Sequence, residues 1–228
     1  MFTLAVLDMA GTTINEHGLV YEALRTAVEE TGASVTQDDL QTWMGTDKVE
    51  AITALMRLGG QTPATSRVDA AFTSFKNTLA ASYAATPPVP LPGVSEAITT
   101  LRTRGIKVAL TTGFTRDVAG PLLDSLGWSA GFVDAVVTSD EVDAGRPAPY
   151  MIHRAMERTG TLSVQQVIVG GDTAVDAQAG RASGAGLVVG VLTGGLTVDD
   201  WALTPADLVI PSIAGLPAAV IERERAAR

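Results

Sequence analysis

The 228-residue chain contains no cysteine. That excludes a disulfide framework, a thiolate nucleophile and a cysteine metal site. Histidine is almost absent as well: only His17 and His153 occur, and both are read as surface or packing residues, although His17 follows the first motif closely. Charged residues make up only 18% of the chain, against 46% hydrophobic residues, so the composition fills a core and does not favour long disorder. No cluster of Lys and Arg is present and the net charge is −9, which makes nucleic acid a poor partner. An anionic small molecule remains compatible, because a metal ion and a few local cations override a global field. No apolar run is long enough to span a membrane. The N-terminal run Met1-Phe2-Thr3-Leu4-Ala5-Val6-Leu7 is short and lacks a basic leader, so it does not read as a signal peptide. A soluble, cytoplasmic protein is expected.

What is present is an alternation of strands and helices. Leu4–Leu7, Ile106–Leu110, Val133–Thr138, Val167–Val169, Leu187–Val191 and Leu208–Ile210 read as strands. Most are rich in Val, Ile and Leu without strict alternation, the pattern of strands buried on both faces. Helices are expected around 94–104, 115–126, 148–159, 173–183 and from Ile213 to Ala226. This order predicts a doubly wound, Rossmann-like parallel α/β sheet. Residues 18–84 break the rhythm. Segments 19–31, 36–43, 47–58 and 66–83 all read as helical, punctuated by Gly32, Gly45 and Gly59-Gly60. The expected organisation is an α/β core of residues 1–16 and 86–228 with an inserted helical domain of 17–85. Thr13–Gly18 leads out, and the proline-rich stretch 86–93 returns. No internal repeat or low-complexity tract is seen.

Ligands of open α/β sheets bind at the carboxyl ends of strands, and four such ends carry chemistry. Asp8 closes the first strand. Thr111-Thr112-Gly113 follows the second, Gly145-Arg146-Pro147 lies after the third, and Gly171-Asp172 through Asp176 follows the fourth. A carboxylate such as Asp8 can attack phosphorus and form an acyl phosphate. Asp8 and Asp172 offer hard oxygen ligands for Mg²⁺. Asp176 is four residues from Asp172, one helical turn on, and is placed to hold a metal-bound water or orient a ligand. The Thr112 hydroxyl, nearby backbone N–H groups and Arg146 suit phosphoryl oxygens. Taken singly, each of these residues also has a bland reading: strand-end aspartates cap and turn, and arginines and lysines are mostly solvated charges.

Together these motifs resemble those of the haloacid dehalogenase superfamily over essentially the whole chain. Asp8-Met9-Ala10-Gly11-Thr12-Thr13 is similar to its first motif, Thr112 to the second, Arg146 to the third, where lysine is usual, and Gly171-Asp172 through Asp176 to the fourth. The helical insert matches the position of the cap termed C1. The resemblance implies Mg²⁺ held by Asp8, the Ala10 carbonyl, Asp172 and Asp176. It implies substrate contacts from Thr12, Gly45, Thr112, Gly113 and Arg146, and a homodimer through the cap.

Ala10 narrows the resemblance. Superfamily phosphatases usually carry there an aspartate that protonates the leaving alkoxide. Alanine at that position, the Gly-Thr-Thr that follows, and arginine in Gly145-Arg146-Pro147-Ala148-Pro149 resemble phosphonoacetaldehyde hydrolase. So does Met44-Gly45-Thr46-Asp47-Lys48, similar to the family's Met-Gly-x-x-Lys, whose lysine forms a Schiff base with the substrate aldehyde. An alkoxide leaving group wants a general acid; a carbon leaving group wants an electron sink, which an iminium on Lys48 would supply. The amine must then be neutral, whereas a solvated lysine titrates only at roughly pH 10.4. Burial favours the neutral form, and Asp47 and Glu50 beside it oppose it.

Three positions depart from the family. Ala51 stands where it has a histidine, Phe114 where it has a tyrosine, and Gly18 where it has a cysteine. The first two remove groups able to shuttle protons. The chain is therefore more similar to the phosphonatase-like hydrolases, which leaves room for a different small phosphonate. Rival readings are a Mg²⁺-dependent phosphatase of small phosphate monoesters, a haloacid dehalogenase, and a catalytically silent phosphate or phosphonate binder. Trp43 and Trp201 read as packing residues.

Overall fold

The computed structural model describes residues 1–128 and 131–226, which divide into two compact units. One comprises Met1–Asn15 and Val89–Arg228, the other Glu16–Pro88.

The first unit is built on β1 (Leu4–Asp8), whose five residues are all buried. The short strands β2 (Ile14–Asn15) and β3 (Val89–Pro90) pair antiparallel, Asn15 opposite Val89. Within the second unit lie α1 (Leu19–Glu29), α2 (Gln37–Thr42), α3 (Lys48–Leu58) and α4 (Thr65–Ala85). After β3 the chain continues through α5 (Val94–Thr103), β4 (Lys107–Thr111), α6 (Arg116–Ser125), β5 (Ala135–Val137), α7 (Tyr150–Thr159), β6 (Val167–Gly171), α8 (Ala174–Ser183), β7 (Leu187–Val191), α9 (Val198–Trp201), β8 (Leu208–Ile210) and α10 (Leu216–Ala226).

The main sheet has the order β5-β4-β1-β6-β7-β8, with every pair parallel. This is the doubly wound α/β fold the strand–helix alternation predicts. Strands buried on both faces need apolar side chains on both, which is why β1, β6 and β7 read as continuous apolar runs. On one face Leu4, Val6, Val167, Val169 and Val188 pack with Met151, Ile152 and Ala155 of α7, Ala177 of α8 and Trp201. Trp201 is a packing residue whose indole N–H donates to the Val191 carbonyl at 3.2 Å. On the other face Leu7 and Ile213 flank Gly170.

The register sets the site. β1 lies between β4 and β6, with Asp8 opposite Thr111 and Leu7 opposite Gly170. From β1 the main sheet continues through β4 and β5 on one side and then crosses to β6, β7 and β8 on the other, and such a reversal of strand order opens a crevice at the carboxyl ends of the strands.

The helical unit rests on amphipathic spacing. α1 buries Val20, Ala23, Leu24, Ala27 and Val28; α3 buries Ala51, Ile52, Leu55 and Met56; α4 buries Val68, Ala71, Phe75 and Leu79. Ala51 is fully buried, so the position of the family histidine is here a packing position. Among the described residues no helix is long and apolar enough to cross a membrane.

Candidate active site

Asp8 ends β1, and the chain turns sharply behind it. The N–H groups of Thr13 and Ile14 both donate to the Met9 carbonyl, at 2.8 and 2.9 Å, and Ala10 bridges to Ile14. Gly11 makes the turn with φ +83°, and a Cβ there would lie 2.5 Å from a carboxylate oxygen of Asp172. Both the dihedral and the approach demand glycine. Gly194, after β7, is confined in the same way by Asp172, and Thr193 Oγ1 donates to the Gly11 carbonyl at 2.6 Å. In the sequence the only signal of this β7 loop is the run Thr193-Gly194-Gly195 at a strand end.

Three carboxylates converge here. Asp8, Asp172 and Asp176 each offer one oxygen within 4.8 Å of the others, and all three are buried. The turn between β6 and α8 produces this convergence, since Asp172 precedes α8 and only Asp176 lies on it. Helical spacing, expected from their four-residue separation, is not the cause. Asp176 Oδ2 accepts from the Thr173 N–H at 3.0 Å and from its hydroxyl at 2.5 Å, so one oxygen caps the helix while Oδ1 meets Arg146. Thr12, expected at the substrate, donates its hydroxyl to Asp172 Oδ1 at 2.7 Å and fixes that carboxylate.

Arg146 is only 5% exposed. Its Nη1 donates to Asp8 Oδ1 at 2.5 Å and to Asp176 Oδ1, while its Nε is buried with no hydrogen-bond partner. Thr112, just past the end of β4, is buried and accepts the Phe114 N–H at 3.1 Å. Gly113 follows it in the same loop.

The electrostatics follow from burial. Loss of solvent pushes Asp8 up to about 6, with Arg146 opposing and Asp176 adding to the rise. Burial, then the Asp8 and Asp176 charges, hold Asp172 well above the ordinary carboxylate range. For Arg146 burial favours the neutral form, but the Asp176 and Asp8 carboxylates outweigh it and raise the guanidinium further. With all three carboxylates ionised, one guanidinium would leave two negative charges uncompensated, which is why burial and mutual repulsion raise Asp8 and Asp172. Hard oxygens, buried and short of positive charge, fit a divalent cation such as Mg²⁺.

A stability prediction follows for Asp172. Its folded-state pKa lies above the unfolded value of about 3.9, so stability falls as pH rises from that value through the folded pKa. Asp172→Asn keeps an acceptor for Thr12 and removes the buried charge. In EDTA the variant should melt above the wild type at pH 8, and the gap should close near pH 4. A gain of about 1 kcal/mol would move Tm by roughly 2–4 °C in a domain of this size class. Calorimetry at both pH values checks this; a lower Tm at pH 8 would refute it.

Gly45 and Lys48 belong to the helical unit. Gly45 turns the chain before α3 with φ +75°. Asp47 caps that helix, accepting from the N–H groups of Val49 at 2.8 Å and Glu50 at 3.0 Å. Lys48 is the first helical residue, 4% exposed, and its Nζ donates to the Thr46 carbonyl at 3.0 Å. His17 is exposed at φ +60°, and His153 contacts the Ser183 carbonyl through Nε2 at 3.3 Å.

Comparison with known proteins identifies the family of the chain. The pattern of the haloacid dehalogenase-like hydrolases matches residues 2–184. Phosphonoacetaldehyde hydrolase of Parabacteroides distasonis is 32% identical over 221 residues, covering 89% of this chain and 82% of that protein. The Bacillus cereus enzyme of the same name is 30% identical over 210 residues, covering 84% and 78%. The solved structure of a phosphonoacetaldehyde hydrolase-like protein from Oleispira antarctica matches with a TM-score of 0.82 at 24% identity, over 98% of this chain and 93% of that one, a likeness of fold. The chain is a hydrolase and belongs to the haloacid dehalogenase-like hydrolases, within the family that includes the phosphonoacetaldehyde hydrolases.

Proposed function

We propose that this hydrolase cleaves the C–P bond of a small carbonyl phosphonate of the phosphonoacetaldehyde type, with Asp8 as nucleophile and Lys48 as the imine-forming amine. One paired observation carries the reading: Ala10 stands where a phosphatase needs an acid, and Lys48 is a buried lysine at a helix N-terminus. Lysines are seldom fully buried unless they are paired, and burial keeps this amine from being an ordinary solvated charge.

Asp8, Asp172, Asp176 and the Ala10 carbonyl would hold Mg²⁺, which when bound supplies positive charge between an anionic nucleophile and an anionic phosphonate. The unpartnered Nε of Arg146 and the Thr112 hydroxyl are donors for phosphoryl oxygens, with the Gly113 backbone beside them and Gly45 shaping the turn before Lys48. Lys48 adds to the aldehyde and water departs, leaving an iminium. An Asp8 oxygen then bonds to phosphorus, and the C–P electron pair moves into the C–C bond to give an enamine. Protonation at carbon and hydrolysis free Lys48, and water releases phosphate from Asp8.

The test is phosphate release from phosphonoacetaldehyde, alkyl phosphates and aryl phosphates, each with Mg²⁺ and with EDTA. C–P cleavage should exceed alkyl ester hydrolysis and need Mg²⁺. Faster hydrolysis of alkyl phosphates than of every phosphonate would replace this reading with a Mg²⁺-dependent phosphatase. Mg²⁺ should also stabilise the wild type and leave Asp172→Asn unmoved.

Ala10→Asp gives a further prediction. The new carboxyl should raise turnover of alkyl phosphates by roughly 10²-fold, since general acids contribute on that scale. Aryl phosphates, whose leaving groups need little protonation, should gain far less. Equal gains on both substrate classes would show that Ala10 is not what limits esterase activity.

A further inference from the structure

The mechanism above leaves Lys48 without the histidine and tyrosine that its relatives are expected to use, since those positions hold the core residue Ala51 and the buried Phe114. Two ionisable groups of the helical unit that the mechanism has not used are withdrawn from solvent, Glu16 and Tyr83. Glu16 is buried and precedes α1; its Oε1 accepts from the Gly18 N–H at 3.1 Å and its Oε2 from the Val20 N–H at 2.8 Å. Both oxygens are thereby held in place. Tyr83 lies near the end of α4, and its hydroxyl oxygen is buried with no hydrogen-bond partner.

These two groups and Lys48 form one cluster. α4 packs against both α1 and α3. The Lys48 charge acts on Glu16, and the Glu16 charge acts on Tyr83. Where α1, α3 and α4 pack on one another, the three groups lie within electrostatic reach of each other in the order Lys48, Glu16, Tyr83.

Tyr83 is the informative member. A buried hydroxyl without a partner is a net destabilisation, and phenylalanine would fill the same space without it. Packing accounts for the ring and not for the oxygen, which is a donor that a ligand would satisfy.

We propose that Tyr83 and Glu16 handle the protons of imine formation at Lys48, Tyr83 by donating to the carbinolamine oxygen and Glu16 by protonating the departing hydroxide. The proposal rests on the Schiff-base reading of Lys48. The Lys48 nitrogen bonds to the aldehyde carbon, and a proton moves from nitrogen to oxygen to give the carbinolamine. The nitrogen lone pair then forms the C=N bond as the C–O bond breaks. The hydroxide leaves as water with the proton of the Glu16 carboxyl, so the iminium and the Glu16 carboxylate are formed together as an ion pair. When water returns to hydrolyse the iminium, the carboxylate takes that proton back. Burial holds the Glu16 carboxyl above its ordinary range, although the Val20 and Gly18 N–H groups and the Lys48 charge oppose the shift. Burial and then the Glu16 charge raise the Tyr83 phenol, which stays a donor at neutral pH.

The experiment isolates the imine step. In an Asp8→Asn background C–P cleavage is blocked, and borohydride with phosphonoacetaldehyde traps the Lys48 adduct, followed by mass spectrometry. Adding Tyr83→Phe or Glu16→Gln should slow adduct formation by roughly 10²-fold. Tyr83→Phe removes no hydrogen bond within the protein, so its Tm should equal or exceed that of its parent. Glu16→Gln loses one backbone acceptor, and Tyr83→Phe is the cleaner test for that reason. If the Asp8→Asn parent forms no adduct, the Schiff-base reading fails and this proposal falls with it. If the parent forms the adduct and both variants form it at the parental rate, only this proposal is overturned. A Tm for Tyr83→Phe well below that of its parent would also overturn it, by showing that the hydroxyl serves the fold.

Discussion

Asp8→Asn should fold as the wild type does and lose phosphate release by on the order of 10³-fold or more, the scale seen when a covalent nucleophile is removed. The fold should survive because the change is nearly isosteric and removes a charge that burial already disfavours, as the rise to about 6 records. Arg146 keeps its Asp176 partner and gains an amide oxygen in place of the carboxylate. The chemistry should not survive, since an amide oxygen is a poor nucleophile towards phosphorus and cannot form the acyl phosphate. Circular dichroism and Tm check the first half, and phosphate release from both phosphonates and aryl phosphates checks the second. The loss should be equal for the two substrate classes, because Asp8 serves both reactions. Phosphate release within tenfold of wild type by a folded Asp8→Asn protein would remove the covalent mechanism altogether.

How much of this was visible in the sequence depends on the length scale of each signal. The inner strands of the main sheet are legible because a strand buried on both faces must be apolar, as in Leu4-Ala5-Val6-Leu7, and the partly buried edge strands β5 and β8 are legible as short Val- and Ile-rich runs. The pair β2 and β3 is not, because two residues are too few for any periodicity, and a proline occupies β3. α9, only four residues long, escaped for the same reason. Asp8, Asp172, Asp176 and Arg146 could be picked out by their places at strand ends. Their union required the parallel register, with Asp8 opposite Thr111 and Leu7 opposite Gly170. Roles that depend on angles within a turn stayed hidden. Nothing in the spacing told that the Thr12 hydroxyl faces Asp172, or that Gly194 is confined by the same carboxylate. Glu16 and Tyr83 are 67 positions apart in sequence, and only the packing of α1 on α4 brings the Glu16 charge within reach of the Tyr83 phenol.

Lys48→Arg should abolish C–P cleavage, by on the order of 10³-fold, which corresponds to about 4 kcal/mol of transition-state stabilisation. Arginine keeps the positive charge and most of the stem, and its guanidinium remains protonated, so it cannot add to an aldehyde. The variant therefore separates charge from covalent chemistry. If Lys48 acted only as a cation, arginine would retain most of the activity. If it forms an imine, C–P cleavage disappears while hydrolysis of aryl phosphates, which needs no electron sink, changes little. Borohydride with phosphonoacetaldehyde should inactivate the wild type and leave a mass increment on the peptide that carries Lys48; the arginine variant should show neither. The substitution has a structural risk of its own, because the larger guanidinium must fit where a 4%-exposed lysine donates to the Thr46 carbonyl. Lys48→Met meets that risk: it fits the buried volume, carries no charge and should fail in C–P cleavage as fully as arginine does. Loss in both variants with aryl phosphate hydrolysis retained points to the amine itself. Full C–P cleavage by either one would take the Schiff base out of the mechanism and leave Asp8 as the nucleophile of an ordinary phosphohydrolase.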